Sequence, residues 1–291
     1  MSQAHPSRVP LYRVNACARA LGEGNPCVVL LFERAQARFD NDEWLMQFAR
    51  EMDVPATAYV RILDVAEARF EIRWFAPSDE EIELCGHGTV AAAHALTEHY
   101  GITPTRQRPL WLATRNYGTV EAWLNEVDNN NDDGSGARSV VEFAFPSLAT
   151  EPVDEPPTLR AGLGGETPPQ FVGRCDGKLL VEVATEAEVR GMVPAVPSLL
   201  EANRYPSIVT ARAEEPSRGY DFVSRVFYLR EDPVTGSAHA GLAPYWAEKL
   251  GKRTLVGYQA SARGGFVHMH LEDARVILGG PAATVVRGNL G

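Results

Sequence analysis

The chain reads as an α+β protein of two similar halves, each a mostly antiparallel set of strands around one central helix. Short alternating apolar runs bounded by turn residues recur along most of its 291 residues, as paired strands do. Two helical stretches, one after Cys85 and one after Thr235, are small and apolar nearly all round, so protein must wrap them on every side. They lie about 150 residues apart, roughly one domain length, which makes them corresponding elements of a repeat.

In chain order, Val9–Val14 and Cys27–Phe32 read as strands joined by a glycine-bearing loop, Gly22–Pro26. Asn25-Pro26 is a turn signal, and also a place where an amide side chain could point into a site. Asp42–Met52 has helical periodicity through Trp44, Leu45, Phe48 and Met52, with an Asn/Asp cap before it. Thr57–Leu63 and Ala68–Phe75 alternate like paired strands. After the first central helix, Pro109–Thr114 and Tyr117–Leu124 read as further strands. Residues 129–136 are polar and of low complexity, an exposed loop or linker between an N-terminal half, 1–128, and a C-terminal half, 137–279. Val140–Pro146 resumes a strand. Thr158–Gly164, Glu186–Met192 and Val196–Leu200 read as short helices among strands at Phe171–Thr185, Tyr205–Ala211 and Phe222–Leu229. Thr254–Gln259, Phe266–Leu271 and Val276–Gly280 follow the second central helix.

The chemistry gathers where the central helices begin. Ile82–His94 turns through Cys85, Gly86, His87 and Gly88 into a helix that Thr89 or a neighbour could cap. Glu231–Ala247 does the same through Gly236 and the hydroxyl of Ser237. A helix start with free backbone N–H groups, and glycines that let a ligand approach, is a ready anion site. His94 and His239, inside the helices, read as core histidines. Pro244 should kink its helix or leave a carbonyl unbonded.

The net charge of −10 disfavours nucleic acid and anionic membranes, without excluding a small anionic substrate held at helix ends. No run of about 18 apolar residues occurs, and Met1–Pro6 lacks the apolar core of a signal peptide. Cys17, Cys27, Cys85 and Cys175 have neither metal nor disulfide spacing, so a reducing cytoplasm is expected. His268 and His270 share one strand face, but a metal site needs further ligands that the sequence does not supply, and none is expected.

Gly24-Asn-Pro-Cys-Val-Val29, Arg73-Trp-Phe-Ala-Pro77, Glu83-Leu-Cys-Gly-His-Gly-Thr89, Arg225, Glu231-Asp-Pro-Val-Thr-Gly-Ser-Ala238 and Arg263-Gly-Gly265 stand in this order along nearly the whole chain. In these motifs it resembles the PhzF-like (phenazine biosynthesis isomerase-related) family of the diaminopimelate epimerase superfamily. The resemblance implies two barrel-like halves, each around one helix, with the active site in a cleft between them. It also implies a final strand, within about 280–291, pairing back into the first half, and a homodimer.

The implied activity is a cofactor-independent isomerase step that moves a proton next to the carboxylate of a small metabolite, with a possible double-bond shift, elimination or cyclisation. The two helix starts would stabilise the charge that builds on the carboxylate. His87 and Asp232 would handle the proton, with Cys85 a further candidate near a helix start that favours a thiolate. Asn25, Gly86, Gly88, Thr89, Gly236 and Ser237 would line the substrate. The family's catalytic glutamate has no counterpart, because Ala56 stands at its position and alanine transfers no proton. Either another group carries the proton, or the chain is a non-catalytic binder or interaction protein that kept the cleft, or the alanine is engineered.

Overall fold

The computed structural model describes residues 8–78, 81–127, 138–164 and 168–291. Two compact units emerge. Among the described residues, one comprises 8–127, 138–143 and 280–291, and the other 144–279. The first contains β1 (Val9–Ala16), β2 (Asn25–Phe32), α1 (Asp42–Met52), β3 (Ala56–Asp64), β4 (Arg69–Phe75), β5 (Glu81–Ile82), α2 (Gly86–Tyr100), β6 (Leu110–Thr114), β7 (Thr119–Val127) and the first part of β8 (Arg138–Pro146). The second contains β9 (Glu151–Pro152), α3 (Leu159–Leu163), β10 (Phe171–Cys175), β11 (Lys178–Glu182), α4 (Glu186–Gly191), α5 (Val196–Ala202), β12 (Ser207–Arg212), β13 (Phe222–Phe227), β14 (Glu231–Asp232), α6 (Gly236–Leu250), β15 (Thr254–Gln259), β16 (Gly265–Glu272) and β17 (Arg275–Gly280). The last strand, β18 (Ala282–Leu290), returns to the first unit and pairs antiparallel with β1, Ala16 facing Ala282 and Val9 facing Leu290. The chain passes from one unit to the other within β8, later than the polar segment 129–136, which lies outside the described residues.

The repeat is written into the strand pairing. The first unit runs β18-β1-β2-β3-β4-β6-β7-β8, with β5 as a short flap on β4. The second runs β9-β10-β11-β12-β13-β15-β16-β17, with β14 on β13. Antiparallel and parallel steps fall in the same places: only β2–β3 and β4–β6 are parallel in the first order, and only β11–β12 and β13–β15 in the second. The α+β class with mostly antiparallel sheets is therefore as the sequence indicated, and the duplication is one of topology as well as of motif.

Each order has its helix. Val90, Ala91, Ala92, Ala93, Ala95 and Leu96 of α2 are all buried, and the helix packs on β1, β2, β3, β7 and β18. Small side chains let strands approach from several directions, which a larger apolar set would forbid. In α6, Trp246 stacks on Phe222 of β13 at 5.6 Å and donates its Nε1–H to Thr210 of β12 at 3.0 Å. Both helices end at a left-handed glycine, Gly101 or Gly251. Pro244 does not break α6, which runs unbroken to Leu250. The carbonyl it leaves without a helical donor, that of Ala240, accepts the Leu148 N–H at 3.2 Å. The expected loose carbonyl is thus satisfied from a neighbouring segment.

Outside these helices the cores are separate clusters. In the first unit Phe32, Phe39, Leu45, Tyr59 and Phe75 pack together under α1, whose start is capped by Asn41 accepting from Trp44 N–H at 3.0 Å. In the second, Leu159, Val181, Leu199, Val209 and Phe227 form the corresponding layer under α3, α4 and α5. No helix among the described residues is long and apolar enough to cross a membrane.

Candidate functional site

The turn into α2 is fixed by a buried ion pair. Arg73 on β4 grips Glu81 on β5 through two bonds, Nε to Oε1 at 2.8 Å and Nη2 to Oε2 at 2.7 Å. Its remaining nitrogen reaches the Phe39 carbonyl and Asp42. A bidentate guanidinium of this kind holds β5 in one orientation, and with it the four-residue run from Ile82 to Cys85. Cys85 is the N-cap in an extended conformation, and its side chain caps nothing. Thr89 lies inside the first turn rather than ahead of it, and its buried hydroxyl donates back to the Cys85 carbonyl at 2.8 Å. The expected Thr89 cap is therefore not formed. By helix geometry the first N–H groups, of Gly86, His87 and Gly88, have no intrahelical acceptor.

Side chains crowd this helix start. A Cβ added to Gly88 would lie 2.5 Å from Trp74 Cδ1 and 3.0 Å from the Cys85 sulfur, so only glycine lets the indole and thiol close over the turn. Trp74 is fully buried, and its Nε1–H finds no partner among the described residues. His87 is half-buried, with Nδ1 3.6 Å from the Cys85 sulfur and Nε2 buried and unpartnered among the described residues. Burial holds its pKa down at about 4, so the ring is neutral at pH 7. Asn25 opens β2, fully buried, beside Ala16 of β1. Ala56 opens β3, also fully buried, in parallel register with Cys27. Burial, and secondarily the neighbouring Cys85, push the Cys27 thiol well above the ordinary range. Through Cys27, Ala56 is thus tied to the same neighbourhood as Cys85, His87 and Trp74. None of Cys17, Cys27, Cys85 and Cys175 is in a disulfide.

The second unit repeats the plan with different side chains. Arg225 on β13 grips Glu231 on β14 at 2.7 and 3.2 Å and reaches the Met192 carbonyl at 2.7 Å. Each arginine also lies over the phenylalanine two residues on, Phe75 or Phe227. Asp232 follows Glu231 and accepts from the Thr235 hydroxyl at 2.5 Å. Buried Gln259 stitches this loop, donating to the Asp232 carbonyl at 2.6 Å and accepting from Thr235 N–H at 2.9 Å. Thr235 is the N-cap of α6, without a side-chain cap, so the first N–H groups, of Gly236, Ser237 and Ala238, stand as open as those of α2. His239 takes the place of Thr89: its Nδ1 donates to the Thr235 carbonyl at 2.8 Å, its Nε2 is buried without a partner among the described residues, and burial lowers its pKa to about 4. His94, on α2, is likewise pushed down by burial, with Glu98 opposing, and meets Thr284 of β18 at 3.1 Å.

In the first unit, then, Cys85, Gly86, His87, Gly88 and Thr89 form one helix start, while Asn25 is placed only by its pairing with Ala16 at the opening of β2. Asp232, Gly236 and Ser237 sit together at the other. Sequence reasoning assigned no role to the two arginine–glutamate grips, Trp74 or Gln259. The grips left a trace in the repeated Arg-x-Phe followed by glutamate; Trp74 and Gln259 left none. No cluster of three or more metal-binding side chains occurs among the described residues.

Comparison with known proteins agrees with this fold. Residues 14–288 match the family described as phenazine biosynthesis-like protein, PhzC-PhzF. An uncharacterized isomerase of Halalkalibacterium halodurans is 35% identical over 288 residues, spanning 97% of this chain and 98% of its own. A crystal structure of a phenazine biosynthesis protein of the PhzF family from Enterococcus faecalis superposes with a TM-score of 0.81 at 29% identity, covering 98% of this chain and 99% of that one. A hydroxyproline epimerase from Agrobacterium vitis, 15% identical, shares the fold alone, with a TM-score of 0.56 over 97% of this chain and 92% of that one.

Proposed function

This chain belongs to the phenazine biosynthesis-like (PhzC-PhzF) family, and on that premise we propose that it is an isomerase-type enzyme acting on a small carboxylate-bearing metabolite. The step is removal or relocation of a proton next to the carboxylate. The observation that supports it is the repeated, uncapped helix start: each unit offers a row of backbone N–H groups with no side-chain cap and a small residue where a ligand can approach. Negative charge developing on carboxylate oxygens is stabilised by such fixed dipoles without reorganisation.

The proton-handling groups are His87 and Asp232, one beside each helix start. Asp232 is preorganised by its bond from Thr235, while His87, neutral at pH 7, can accept or donate a proton but carries no charge of its own. Ala56 supplies none of this chemistry; it is fully buried, in parallel register with Cys27. That packing is also the observation that favours the second reading, a binder that kept the helix starts and lost the base.

Deuterium uptake separates the two. A panel of small amino and hydroxy carboxylic acids is incubated in D₂O with the protein and with its His87→Ala, Asp232→Ala and Ala56→Glu variants, and read by mass spectrometry. The enzyme reading expects label with the parent protein and its loss in both alanine variants. Label that persists unchanged in both alanine variants refutes the assignment of His87 and Asp232. Label seen only with Ala56→Glu supports the binder.

A further inference from the structure

We infer that Cys85 is a positioning residue whose thiol, bonded to Nδ1 of His87, fixes that histidine as the Nε2–H tautomer and so makes it a hydrogen-bond donor. Two facts of geometry carry this. The Cys85 sulfur lies 3.6 Å from His87 Nδ1, within reach of a sulfur hydrogen bond, and the other ring nitrogen, Nε2, is buried with no partner among the described residues. A neutral imidazole has one proton for two nitrogens, so the partner of one nitrogen decides the state of the other. The bond can run as S–H to Nδ1, leaving the ring proton on Nε2, or as Nδ1–H to sulfur, leaving Nε2 bare. An imidazole lone pair is a strong acceptor and a thiol sulfur a weak one, so the first arrangement is the better bond.

The second helix provides a built-in contrast. His239 also has Nδ1 bonded and Nε2 bare of partners, but its Nδ1 faces the Thr235 carbonyl at 2.8 Å. A carbonyl can only accept, so His239 must be the Nδ1–H tautomer. The same ring at the same kind of helix start is set one way by a carbonyl and the other way by a thiol. Burial, which keeps both rings neutral near pH 7, leaves the tautomer as the only variable.

The consequence rests on the proposed function. A donor at Nε2 of His87, the residue between Gly86 and Gly88 in the first turn, adds one more hydrogen bond to a substrate carboxylate as charge builds on it. A neutral imidazole used this way acts as an electrophile rather than a base.

The tautomer can be read without turnover. Protein labelled with ¹⁵N-histidine is examined by long-range ¹H–¹⁵N correlation at pH 7, with His87→Gln and His239→Gln for assignment. The expected result is a proton on Nε2 of His87 and on Nδ1 of His239. In Cys85→Ser, whose hydroxyl still donates, the His87 pattern is retained; in Cys85→Ala the Nε2–H signature is lost or shared with Nδ1. A proton on Nδ1 of His87 in the parent protein, or an unchanged Nε2–H tautomer in Cys85→Ala, overturns the inference. Acetate added as a carboxylate probe tests the underlying reading separately. If the Nε2–H tautomer holds in the parent and collapses in Cys85→Ala, yet acetate moves no His87 resonance, the positioning role stands and the carboxylate site is refuted. In an exchange assay, Cys85→Ala is expected to lower kcat about tenfold with little change in KM, and Cys85→Ser to restore it.

Discussion

Protonation of His239 should make the protein acid-labile in a defined window. The ring is fully buried in α6, stacked on Phe222 at 6.1 Å, with Nδ1–H given to the Thr235 carbonyl and no acceptor or carboxylate facing Nε2 among the described residues. Its pKa falls from an ordinary 6.5 to about 4, chiefly by burial, with the Thr235 bond opposing. The unfolded chain therefore takes up a proton near pH 6.5, while the folded chain resists until near 4. The stability tied to neutral His239 is complete above about pH 6.5 and is lost as pH falls towards about 4. A shift of this size corresponds to roughly 3 kcal/mol, with a slope of at most about 1.4 kcal/mol per pH unit. Against a total of about 5–15 kcal/mol for a folded domain, one histidine matters. Urea unfolding of the parent and of His239→Gln, followed by circular dichroism from about pH 7.5 to about 4.5, isolates the effect, because groups common to both proteins cancel in the difference. The stability difference, parent minus variant, should fall by about 2–3 kcal/mol over that range. A difference that stays constant with pH would falsify the claim that His239 is held neutral by burial.

Other predictions follow from packing. Gly88→Ala pushes a methyl into the indole of Trp74, and the rigid ring has to move; a loss of about 1–3 kcal/mol is expected, less any gain in helix propensity, in a urea melt. A variant as stable as the parent would mean the close approach is not there. Arg225→Met strips Glu231 of its partner and leaves the Met192 carbonyl without its donor. About 2–4 kcal/mol should be lost, and deuterium exchange should weaken because the strand carrying Asp232 loses its anchor. Unchanged exchange in a folded Arg225→Met protein would show that the grip does not position Asp232. Pro244→Ala should gain about 1 kcal/mol or less, well short of the ~3 kcal/mol that an interior helical proline usually costs, because Leu148 already satisfies the Ala240 carbonyl. A full gain by calorimetry would mean that the Leu148 bond contributes nothing.

Much of the fold was legible because composition spoke directly. A run such as Val90-Ala-Ala-Ala93 has only one use in a strand-rich chain, and repeating its setting after Thr235 disclosed the duplication. The strands alternated, and an Asn/Asp cap announced α1, the structure assigning it to Asn41. The pairings were less accessible. That β2 meets β3 in parallel, which sets Ala56 beside Cys27, depends on α1 crossing between them and leaves no mark in either strand. The helix starts were legible as motifs, yet their internal wiring was not. Cys85 and His87 are two residues apart, a spacing that separates side chains on a helix. They meet because Cys85 sits before the first turn in an extended conformation, with φ −118° and ψ 107°. Likewise Gln259, 24 residues beyond Thr235, reaches its loop only because β15 runs parallel to β13.

The return of β18 to β1 has a consequence for how the protein is made. Residues 282–290 complete the first unit, but the ribosome reaches them only after the whole of 144–279 has been synthesised. At about 5–20 residues per second, the first unit waits on the order of ten seconds with the hydrogen-bonding groups along one side of β1 unsatisfied. Such an edge is open to pairing with another nascent chain. The duplicated architecture thus matures from its last strand backwards, and the interval before β18 arrives is when a holdase would have most to protect.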